Sequence, residues 1–527
     1  MSGLEKEFNI TGTCVPKKHY MVDLTRRLRE IKKLVDKEKY LSISRGRQFG
    51  KTTVLSGLRR FLADEYIVIS ISFEGMGETA FESEKEFCKA FLMRIYDKLL
   101  FSNVADDFRE GWNNKTVSSF NDLSRLITKM CENNKIVLLI DEVDKASNHI
   151  IFLNFLSKLR DKYLSRADEQ DYTFHSVILA SVYDIKNLKF KMVKDGQYSP
   201  SASETDIFNS PWNIAAEFNV ALSFDTTDIT NMLNDFEGDF QTGMDIVTVA
   251  EEIFSYTSGY PFLVSKICKN INENLENDWT KGGVRRSVKL VLKSETPLFE
   301  TLIKNITGNT ELYKLMESIV MDGRKFPFNI NNPLINISFR YGYIKEGKNG
   351  TEVSNRIFNT ILSNYFTDAA IIKQGLSEPD VFIDALDIVA NDSLNMERCL
   401  EKFSHYYAQY YSEKDERFIE REGRLLFLMF LSPILNGKGF AYIESQSADG
   451  KRTDVIVNYL NEQYIIELKI WDGQKKHEDA IEQLIGYMDR FQTSTGYLLT
   501  FNFNMNKAVK HEWKSVDMNR KILDVML

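Results

Sequence analysis

The chain has 527 residues, of which 43% are apolar and 27% are charged, and its formal net charge is −8. This composition is that of an ordinary folded protein and excludes widespread disorder, while 27 glycines and 9 prolines exclude collagen-like and proline-rich architectures. At roughly 100–200 residues per domain, the length predicts three or four domains. Because the chain is not basic overall, any binding to nucleic acid must depend on local clusters of lysine and arginine.

The sequence offers no membrane or export signal. The longest strongly apolar stretch, Leu425–Leu431, is too short to span a bilayer, and the first ten residues lack the basic and apolar regions of a signal peptide. The five cysteines form no CxxC pair, which argues against a zinc knuckle and a disulfide scaffold. We therefore expect a cytoplasmic protein with no membrane partner. The cysteines are Cys14, Cys88, Cys131, Cys268 and Cys399.

The first 224 residues alternate between helix and strand patterns. Leu24, Leu28 and Ile31 recur at helical spacing, which predicts an amphipathic helix over residues 23–40. Short apolar runs alternate with the helical segments that follow, and this order predicts an α/β fold with a parallel sheet. The predicted strands are Tyr40–Ile43, Tyr66–Phe73, Ile136–Ile140 and Val177–Ala180, and the predicted helices include Thr52–Leu62, 82–101 and 118–132.

The pattern changes further along the chain. Residues 225–293 have a helical pattern with few strand signals. Within residues 298–366, helices precede a predicted hairpin of Phe339–Ile344 and Thr351–Val353, an order that favours a winged helix. From residue 417 onward, helices and strands alternate again and predict a compact α/β unit of about 110 residues. Its predicted elements are a helix (417–431), strands (440–445, 453–460 and 463–470), a second helix (476–491) and a last strand (496–501).

A phosphate-binding loop is the first chemical motif. Residues 44–53, SRGRQFGKTT, follow a predicted strand, precede a predicted helix and nearly match the pattern GxxxxGK[ST]. Gly50 would let the backbone approach the phosphates of ATP, Lys51 would reach the β- and γ-phosphates, and the Thr52 hydroxyl would ligate Mg²⁺. Arg45 replaces the first glycine of the pattern, and we expect Gly46 to supply the flexibility instead. The predicted nucleotide-binding residues are Arg45, Gly46, Arg47, Gln48, Phe49, Gly50, Lys51, Thr52 and Thr53.

A strand that ends in two carboxylates is the second element of this motif. Ile136–Ile140 is entirely apolar and leads into Asp141 and Glu142. A buried parallel strand delivers such residues to the edge of the sheet where ligands bind. We expect Asp141 to hold Mg²⁺ through water and Glu142 to act as the catalytic carboxylate that polarises the attacking water. A solvated acidic turn is the alternative interpretation.

Three more residues are candidates for contact with the terminal phosphate. Ser181 ends the predicted strand after the acidic one, where it would sense the γ-phosphate or serve only as a small turn residue. Arg160 and Arg166 lie on the intervening helix, and either could act as an arginine finger on a neighbouring subunit. Basic residues on helices are usually solvated, so the sequence leaves the finger and the oligomeric state open.

Five runs together give a family resemblance: RGRQFGKTT, IVLLIDEVD, SVILASVYDIKNLK, SPWNIAAEFNV and TSGYPFLVSKICK. They resemble AAA-like ATPases of the STAND-related P-loop class, and in particular bacterial AAA-like proteins that carry a C-terminal PD-(D/E)XK nuclease-like domain. The resemblance covers almost the whole chain and implies a helical lid and a winged-helix module after the core. It also implies that the first glycine of the loop is replaceable, and that residues 258–261 enter the lid near the nucleotide.

Two carboxylates and a lysine form a second chemical motif near the C-terminus. Asp454 opens one predicted strand, and Glu467 and Lys469 lie two positions apart on the next, so they share one face of the sheet. Paired carboxylates bind a hard cation such as Mg²⁺ or Mn²⁺, and the carbonyl of Leu468 would complete the metal site. Lys469 would orient the attacking water and stabilise negative charge at phosphorus. A salt-bridged surface is the alternative interpretation.

This arrangement resembles the PD-(D/E)XK phosphodiesterase core. The resemblance implies a catalytic role for Asp454, Glu467 and Lys469 and for two residues on the flanking helices. Glu422, with Glu420 as its rival, would be the first carboxylate, and Gln483 would be the supporting polar residue. Thr453 stands before Asp454 where the pattern has proline, a departure that the superfamily tolerates.

The sequence thus predicts a multidomain α/β protein with two sites. The predicted domains are a P-loop AAA-like ATPase core (1–224), a helical lid (225–296), a winged-helix-like domain (297–368), a helical connector (369–412) and a PD-(D/E)XK restriction-endonuclease-like α/β domain (413–527). The favoured function is a metal-dependent nuclease gated by ATP, with nucleic acid as partner and DNA favoured over RNA. The alternatives are an ATP-dependent switch that binds without cutting, and a nuclease whose P-loop only stabilises the fold.

Overall fold

The structure is a computed structural model that describes residues 6–114, 116–146, 149–182, 212, 214–216, 221–374, 388–390, 393–410, 420–435, 439–444, 454–460, 462–503 and 510–527. The chain divides into two compact units. The first unit comprises Met1–Gln241, Gly259–Lys266 and Arg340–Gly342, and the second comprises Thr242–Ser258, Ile267–Phe339 and Tyr343–Leu527. Two short segments from beyond residue 241 therefore belong to the first unit.

A parallel sheet flanked by helices forms the centre of the first unit. Its strands are β1 (Leu41–Ser44), β2 (Ile67–Ser72), β3 (Ile136–Asp141) and β4 (Ser176–Ser181). They pair in the order β1-β4-β3-β2, with every pairing parallel, as the alternating pattern predicts. The helices are α1 (Thr25–Asp36), α2 (Lys51–Phe61), α3 (Glu84–Leu99), α4 (Asp106–Trp112), α5 (Phe120–Cys131), α6 (Ile150–Ala167) and α7 (Thr226–Phe240).

Both faces of this sheet are buried. Along β3, Leu138 and Ile140 pack into one hydrophobic cluster with the aromatic residues of α3 and α6, whereas Val137 and Leu139 pack into another with α1 and α2. A parallel strand covered on both faces is apolar at every position, and this explains the run IVLLI. Side-chain caps define where flanking helices begin, as when Ser119 accepts from the amide of Asp122 at the start of α5.

Further helices and two hairpins follow residue 241. A two-stranded antiparallel hairpin, β5–β6, is present, but the predicted strand over 339–344 is largely wrong. Its first residues end a helix, and the strand begins only at Ile344. The elements are α8 (Ile246–Thr257), α9 (Pro261–Asn274), α10 (Lys281–Lys293), α11 (Pro297–Thr307), α12 (Thr310–Val320), α13 (Pro333–Arg340), β5 (Ile344–Gly347), β6 (Gly350–Val353), α14 (Arg356–Gln374), β7 (Val389–Ala390), β8 (Ser393–Leu394) and α15 (Met396–Tyr410).

A six-stranded mixed sheet dominates the C-terminal part of the second unit. Its order is β13-β14-β12-β11-β10-β9, with β11, β12 and β14 parallel and the remaining pairs antiparallel. The last two strands were not predicted from the sequence. The elements are α16 (Glu420–Leu435), β9 (Gly439–Glu444), β10 (Asp454–Tyr459), β11 (Glu462–Ile470), α17 (Gln474–Phe491), β12 (Thr495–Phe501), β13 (Lys510–Ser515) and β14 (Lys521–Met526).

Helices α16 and α17 pack against this sheet. Ala480, Leu484 and Met488 of α17 pack on one face against Ile456 and Leu498. Helix α16 contacts β9 and β11, and it approaches β12 so closely that a Cβ at Gly423 would lie 2.5 Å from the Phe501 ring. The two helices therefore bring Glu422 and Gln483 to the same sheet as Glu467.

The structure also describes the state of the cysteines and the character of the helices. All five cysteines are free thiols, in agreement with the absence of a predicted disulfide scaffold. Within the described ranges, none of the helices combines the length and the apolar character that crossing a bilayer requires.

A glycine substitution tests the junction that brings residues 259–266 into the first unit. Gly259 has φ +73°, and a Cβ there would lie 1.8 Å from the carbonyl oxygen of Phe224, whose amide donates to the Gly259 carbonyl at 2.8 Å. We expect Gly259→Ala to destabilise the protein by about 3 kcal/mol or more, because left-handed strain and a backbone clash add. Thermal unfolding followed by circular dichroism measures the loss.

Gly243→Ala is the matched control, since Gly243 has φ +75° but nothing within 4 Å of its added Cβ. Its loss should be near 1 kcal/mol, from backbone strain alone. Equal losses in the two variants would contradict a close approach of Phe224.

Candidate functional site

The phosphate-binding loop connects β1 to α2 at the C-terminal edge of the parallel sheet. Gly50, the residue before α2, has φ +79°, and no atom would meet a Cβ built on it, so its conformation rather than a contact requires glycine. Gln48 also has a positive φ, of +55°. These left-handed residues turn the chain so that α2 begins at Lys51 beside the loop, and the first amides of a helix can bind an anion.

Lys51 is held inside its own loop. The side chain is buried, and its ammonium donates to the carbonyl oxygens of Arg45 and Gly46, both at 2.9 Å. Burial lowers the pKa of Lys51 below its ordinary value, although the carboxylates of the acidic turn oppose the shift. A phosphate would offer this cation a charged partner in place of neutral carbonyls.

A hydrogen bond joins the two nucleotide motifs directly. The Thr52 hydroxyl donates to Asp141 Oδ2 at 2.7 Å, and the amide of Glu142 donates to Asp141 Oδ1 at 2.9 Å. The sheet order explains this contact, because β4 lies between β1 and β3 and aligns their C-terminal ends. A hydroxyl and a carboxylate are the hard oxygen ligands that Mg²⁺ prefers, so Thr52 and Asp141 fit that ion beside a bound phosphate.

Glu142 follows β3 in a left-handed conformation, with φ +53°, and is only partly buried. Burial raises the pKa of its carboxyl group, and the neighbouring carboxylates of Asp144 and Asp141 raise it further. A carboxylate with a raised pKa is a stronger base toward water, which suits the predicted role of Glu142.

Ser181 lies where β4 ends, beside the start of the phosphate-binding loop. Its hydroxyl is 3.3 Å from that of Ser44, and its carbonyl accepts from the amide of Arg45 at 3.1 Å. The next residue, Val182, donates its amide to Asp144 Oδ1 at 3.1 Å. The end of β4 therefore ties the loop to the acidic turn.

The arginine-finger candidates lie on α6. The guanidinium of Arg166 donates to the carbonyls of Phe174, His175 and Glu38 at 2.6, 3.0 and 2.7 Å. These bonds join the segment before β4 to the segment before β1, so Arg166 has a structural function in this unit. Arg160 lies on the same helix, and its buried Nε has no hydrogen-bond partner among the described residues.

Sequence reasoning missed two aromatic contacts to the loop. The Tyr260 hydroxyl donates to the carbonyl of Arg47 at 2.6 Å, and its ring packs edge-on against Phe49 at a centroid distance of 4.7 Å. The family resemblance placed residues 258–261 near the nucleotide, but the Tyr260 contact has no local sequence signal. It lies 213 positions from Arg47.

Gly46 has a different role from the one expected. It is not among the residues with a positive φ, so it does not supply unusual backbone freedom. A Cβ at position 46 would instead lie 2.3 Å from the carbonyl oxygen of Tyr341. Glycine is required there because a distant backbone segment packs directly on the loop.

A cavity of about 340 Å³ adjoins the C-terminal half of the loop, at Gln48, Phe49 and Gly50. The N-terminal segment, the loop and the start of α9 line it, with Ile10, Cys14, Gly50 and Phe262 among its residues. The amide of Cys14 donates to the Thr53 hydroxyl at 3.1 Å, which anchors the N-terminal segment to α2. The volume lies within the range of small-ligand pockets and suits the nucleoside part of a nucleotide.

The second predicted site lies on the C-terminal sheet. The Glu467 side chain on β11 is fully buried, and Lys469 of the same strand forms an ion pair with it. The antiparallel ladder pairs Val455 with Ile466, so the register continues to Asp454 opposite Glu467. The side chain of Asp454 lies outside the described residues, as do Thr453 and the side chain of Glu420.

Other predicted members of this site are distributed over its neighbours. Leu468 is buried between Glu467 and Lys469 on β11, Glu422 is on α16, and Gln483 is on α17. Among the described side chains, histidine, cysteine, aspartate and glutamate form no cluster of three that would hold a metal.

A buried polar cluster on the same sheet was not predicted. His477 Nε2 lies 2.8 Å from Asp524 Oδ2, and Lys514 Nζ donates to the same oxygen at 2.5 Å. Burial raises the pKa of Asp524, but the bonds from His477 and Lys514 outweigh it, so the pKa lies below its usual value. No sequence pattern links three residues on α17, β13 and β14.

A known protein family matches a region that includes both nucleotide motifs and extends into the second unit. The AAA-like domain family matches residues 20–322, which is more than half of the chain. The chain therefore belongs to the AAA-like family, and its α/β core with a parallel sheet is a P-loop ATPase core that binds ATP. No curated protein matches the chain.

Three solved structures match about two thirds of the chain at low sequence identity. The Walker-type ATPase PABY2304 of Pyrococcus abyssi is 14% identical, with 68% of this chain and 99% of that chain covered and a TM-score of 0.47. The RuvB Holliday junction branch migration motor of Thermotoga maritima is 12% identical, covering 68% and 96%, with a TM-score of 0.30. The ORC2 protein of Aeropyrum pernix is 12% identical, covering 65% and 93%, with a TM-score of 0.34.

Two threonine variants test the role of the Thr52 hydroxyl in nucleotide binding. We expect Thr52→Val to weaken Mg²⁺–ATP binding about 10-fold or more, because the lost hydroxyl faces Asp141. Thr230→Val on α7 is the matched control. It should change affinity less than about 3-fold and cost about 1 kcal/mol of stability or less, since only the hydrogen bond of its hydroxyl to the Thr226 carbonyl is lost. Titration calorimetry with Mg²⁺–ATP and thermal unfolding measure both effects, and equal affinity losses would contradict the assignment.

The pH dependence of ATP hydrolysis tests Glu142. A general base must be deprotonated to act, and the pKa of the Glu142 carboxyl group is raised. As the pH is lowered, the hydrolysis rate should therefore begin to fall at a higher pH than an ordinary glutamate would give. Asp144→Asn removes one neighbouring charge but keeps an acceptor for the Val182 amide. It should move the acidic limb of the pH–rate profile to lower pH.

Glu78→Gln is the control for this experiment, because the Glu78 side chain is 89% exposed and should leave the limb in place. An acidic limb that does not move in Asp144→Asn would show that Glu142 is not the titrating base.

Proposed function

We propose that the chain is an ATP-binding and ATP-hydrolysing protein whose nucleotide state gates a metal-dependent nuclease in residues 413–527. In this proposal the C-terminal sheet is a PD-(D/E)XK domain that cleaves phosphodiester bonds of nucleic acid, with DNA favoured over RNA. Residues 225–296 act as a helical lid and residues 297–368 as a winged-helix module. The helices α11 and α12 and the hairpin β5–β6 support the second assignment.

One observation carries the nuclease proposal. Glu467 is fully buried on a central strand and forms an ion pair with Lys469. Burial of a carboxylate is unfavourable unless charge or hydrogen bonds compensate for it, and such groups are concentrated at functional sites. The strand register adds a second carboxylate residue, Asp454, at the position opposite Glu467. This combination agrees with the motif that the sequence predicts.

The residues of this site have distinct proposed roles. Asp454 and Glu467, with the Leu468 carbonyl, would hold Mg²⁺ or Mn²⁺, which would polarise a phosphoryl oxygen when bound. Lys469 would orient the attacking water and neutralise charge at the phosphorus, a role that its contact with Glu467 prepares. Glu422 and Gln483 would support this set from the flanking helices.

The nucleotide site has its own proposed mechanism. Lys51 would bind the β- and γ-phosphates, and Thr52 and Asp141 would hold Mg²⁺. Glu142 would accept a proton from the attacking water, as its raised pKa favours. Hydrolysis would then change the contacts between the loop and Tyr260, whose hydroxyl binds the Arg47 carbonyl.

A second candidate function has a specific observation in its favour. Residues 413–527 contain 16 basic and 18 acidic residues, so the domain has a net charge of −2. A domain that grips nucleic acid by itself is usually basic. The chain could therefore be an ATP-dependent regulatory switch or scaffold, in which this domain binds a partner or nucleic acid without cleavage.

A cleavage assay with matched lysine variants decides between these functions. Purified protein is incubated with single- and double-stranded DNA and RNA, with Mg²⁺ or Mn²⁺, and with or without ATP. We expect Asp454→Asn and Lys469→Ala to reduce cleavage about 100-fold or more, because each removes a group that acts on the phosphorus or on the metal. Lys521→Ala, an exposed residue of the same sheet, should leave the rate unchanged.

Lys51→Ala adds the test of coupling. Loss of cleavage in this variant, with the fold intact, supports gating by nucleotide. Undiminished cleavage would mean that the nucleotide only stabilises the fold. Cleavage by wild type that persists in both Asp454→Asn and Lys469→Ala would contradict the nuclease assignment, and no cleavage with any substrate would favour the switch.

A further inference from the structure

The segment Arg340–Gly342 lies against the phosphate-binding loop, within the first unit. The Tyr341 carbonyl oxygen occupies the space that a Cβ at Gly46 would need. Gly342, with φ +75°, packs so closely that a Cβ on it would lie 3.1 Å from the Phe49 ring. This segment follows the end of the AAA-like match at residue 322, so the family match does not assign it to the nucleotide site.

These contacts fix where Arg340 lies. Tyr341 is buried, its own carbonyl lies against Gly46, and Gly342 after it packs against the Phe49 ring. A residue adjacent in the chain to such a contact has only its side-chain rotamers free. Arg340 is therefore held next to the loop on the side where Gly46 and Arg45 lie.

Arg45 and Arg340 form a pair of like charges. Burial lowers the pKa of the Arg45 guanidinium, and the positive charge of Arg340 lowers it further. The Arg45 guanidinium also donates to the carbonyl of Ser44 at 2.9 Å, which keeps it near the sheet edge. Two guanidinium groups held together repel each other, and an anion bound between them would turn this repulsion into attraction.

The position of this pair identifies which part of a nucleotide it would meet. The cavity that suits the nucleoside is lined by Gly50, Thr53 and residues of the N-terminal segment, and Arg45 is not part of its wall. Arg45 instead binds through its amide to Ser181, at the strand end next to the acidic turn. The terminal phosphate is the part of a nucleotide nearest to a carboxylate that activates water.

We propose that Arg340 and Arg45 form an anion subsite beside the phosphate-binding loop that binds the terminal phosphate of a nucleoside triphosphate. The proposal rests on the ATP site described above. Arg340 thereby distinguishes ATP from ADP, and it does so from a segment about 290 positions away from Lys51 in the sequence. Arginine suits this role because its planar group makes paired hydrogen bonds to phosphate oxygens.

Binding of ATP and ADP to the full chain tests the proposal. Fluorescent derivatives of both nucleotides are titrated, with Mg²⁺, into wild type, Arg340→Ala and Arg340→Lys. Arg340→Ala should weaken ATP binding about 10-fold or more and ADP binding less than about 2-fold, because ADP lacks the terminal phosphate. Arg340→Lys should give an intermediate loss for ATP, since the charge remains without the paired geometry.

Two further variants and one measurement make the outcomes distinct. Arg324→Ala is the control, since the Arg324 side chain is 64% exposed and pairs only with nearby Asp322 in the described contacts. Thermal unfolding without nucleotide checks the fold of each variant. Lys51→Ala should lose both nucleotides.

Equal losses for ATP and ADP in Arg340→Ala, or no loss of either, would overturn the proposal for Arg340. Undiminished binding by Lys51→Ala would instead overturn the nucleotide site itself. If Arg340→Ala unfolds at a lower temperature without nucleotide, Arg340→Lys decides by its own ratio of ATP to ADP affinity.

Discussion

The hydrogen bond between Thr52 and Asp141 is the interaction on which the nucleotide site depends. It joins a residue at the start of α2 to one at the end of β3, 89 positions later in the chain. It can form only because β4 pairs in parallel with both β1 and β3 and brings their C-terminal ends to one edge. The fully apolar strands and the two hydrophobic clusters that bury them thus position the chemistry.

The loop itself is held from several directions. Its own Lys51 binds the carbonyls of Arg45 and Gly46, Tyr260 binds the carbonyl of Arg47, and the Tyr341 carbonyl packs on Gly46. Each of these contacts uses the loop backbone, so a phosphate that reorders this backbone would change all of them together. In the proposed function, this shared dependence would couple bound ATP to the segment Arg340–Gly342.

The C-terminal sheet presents a different balance of forces. Its apolar faces are covered by α16 and α17, while Glu467 and Lys469 bring opposite charges into the buried strand β11. Apolar residues in these positions would stabilise the sheet at least as well. Stability alone therefore does not require a charged pair here, and its presence supports the cleavage proposed for this domain.

The sequence by itself determined the features that are contiguous. The loop SRGRQFGKTT, the acidic strand end and the order of strands and helices in the first unit follow from local patterns of polarity and glycine. The strand over 339–344 was mispredicted because its aromatic residues suit a strand, although Phe339 and Arg340 end α13. Strand β13 was missed because it is exposed at nearly every position and has no apolar alternation.

Only the tertiary structure decided which distant residues meet at the loop. Gly46 could be read from the sequence as a flexible residue, but the structure shows that it makes room for the Tyr341 carbonyl. The contact of Tyr260 with Arg47 and the position of Arg340 also have no signal in the local sequence. Contacts between residues hundreds of positions apart are set by how whole helices and strands pack, and such packing leaves no local pattern to read.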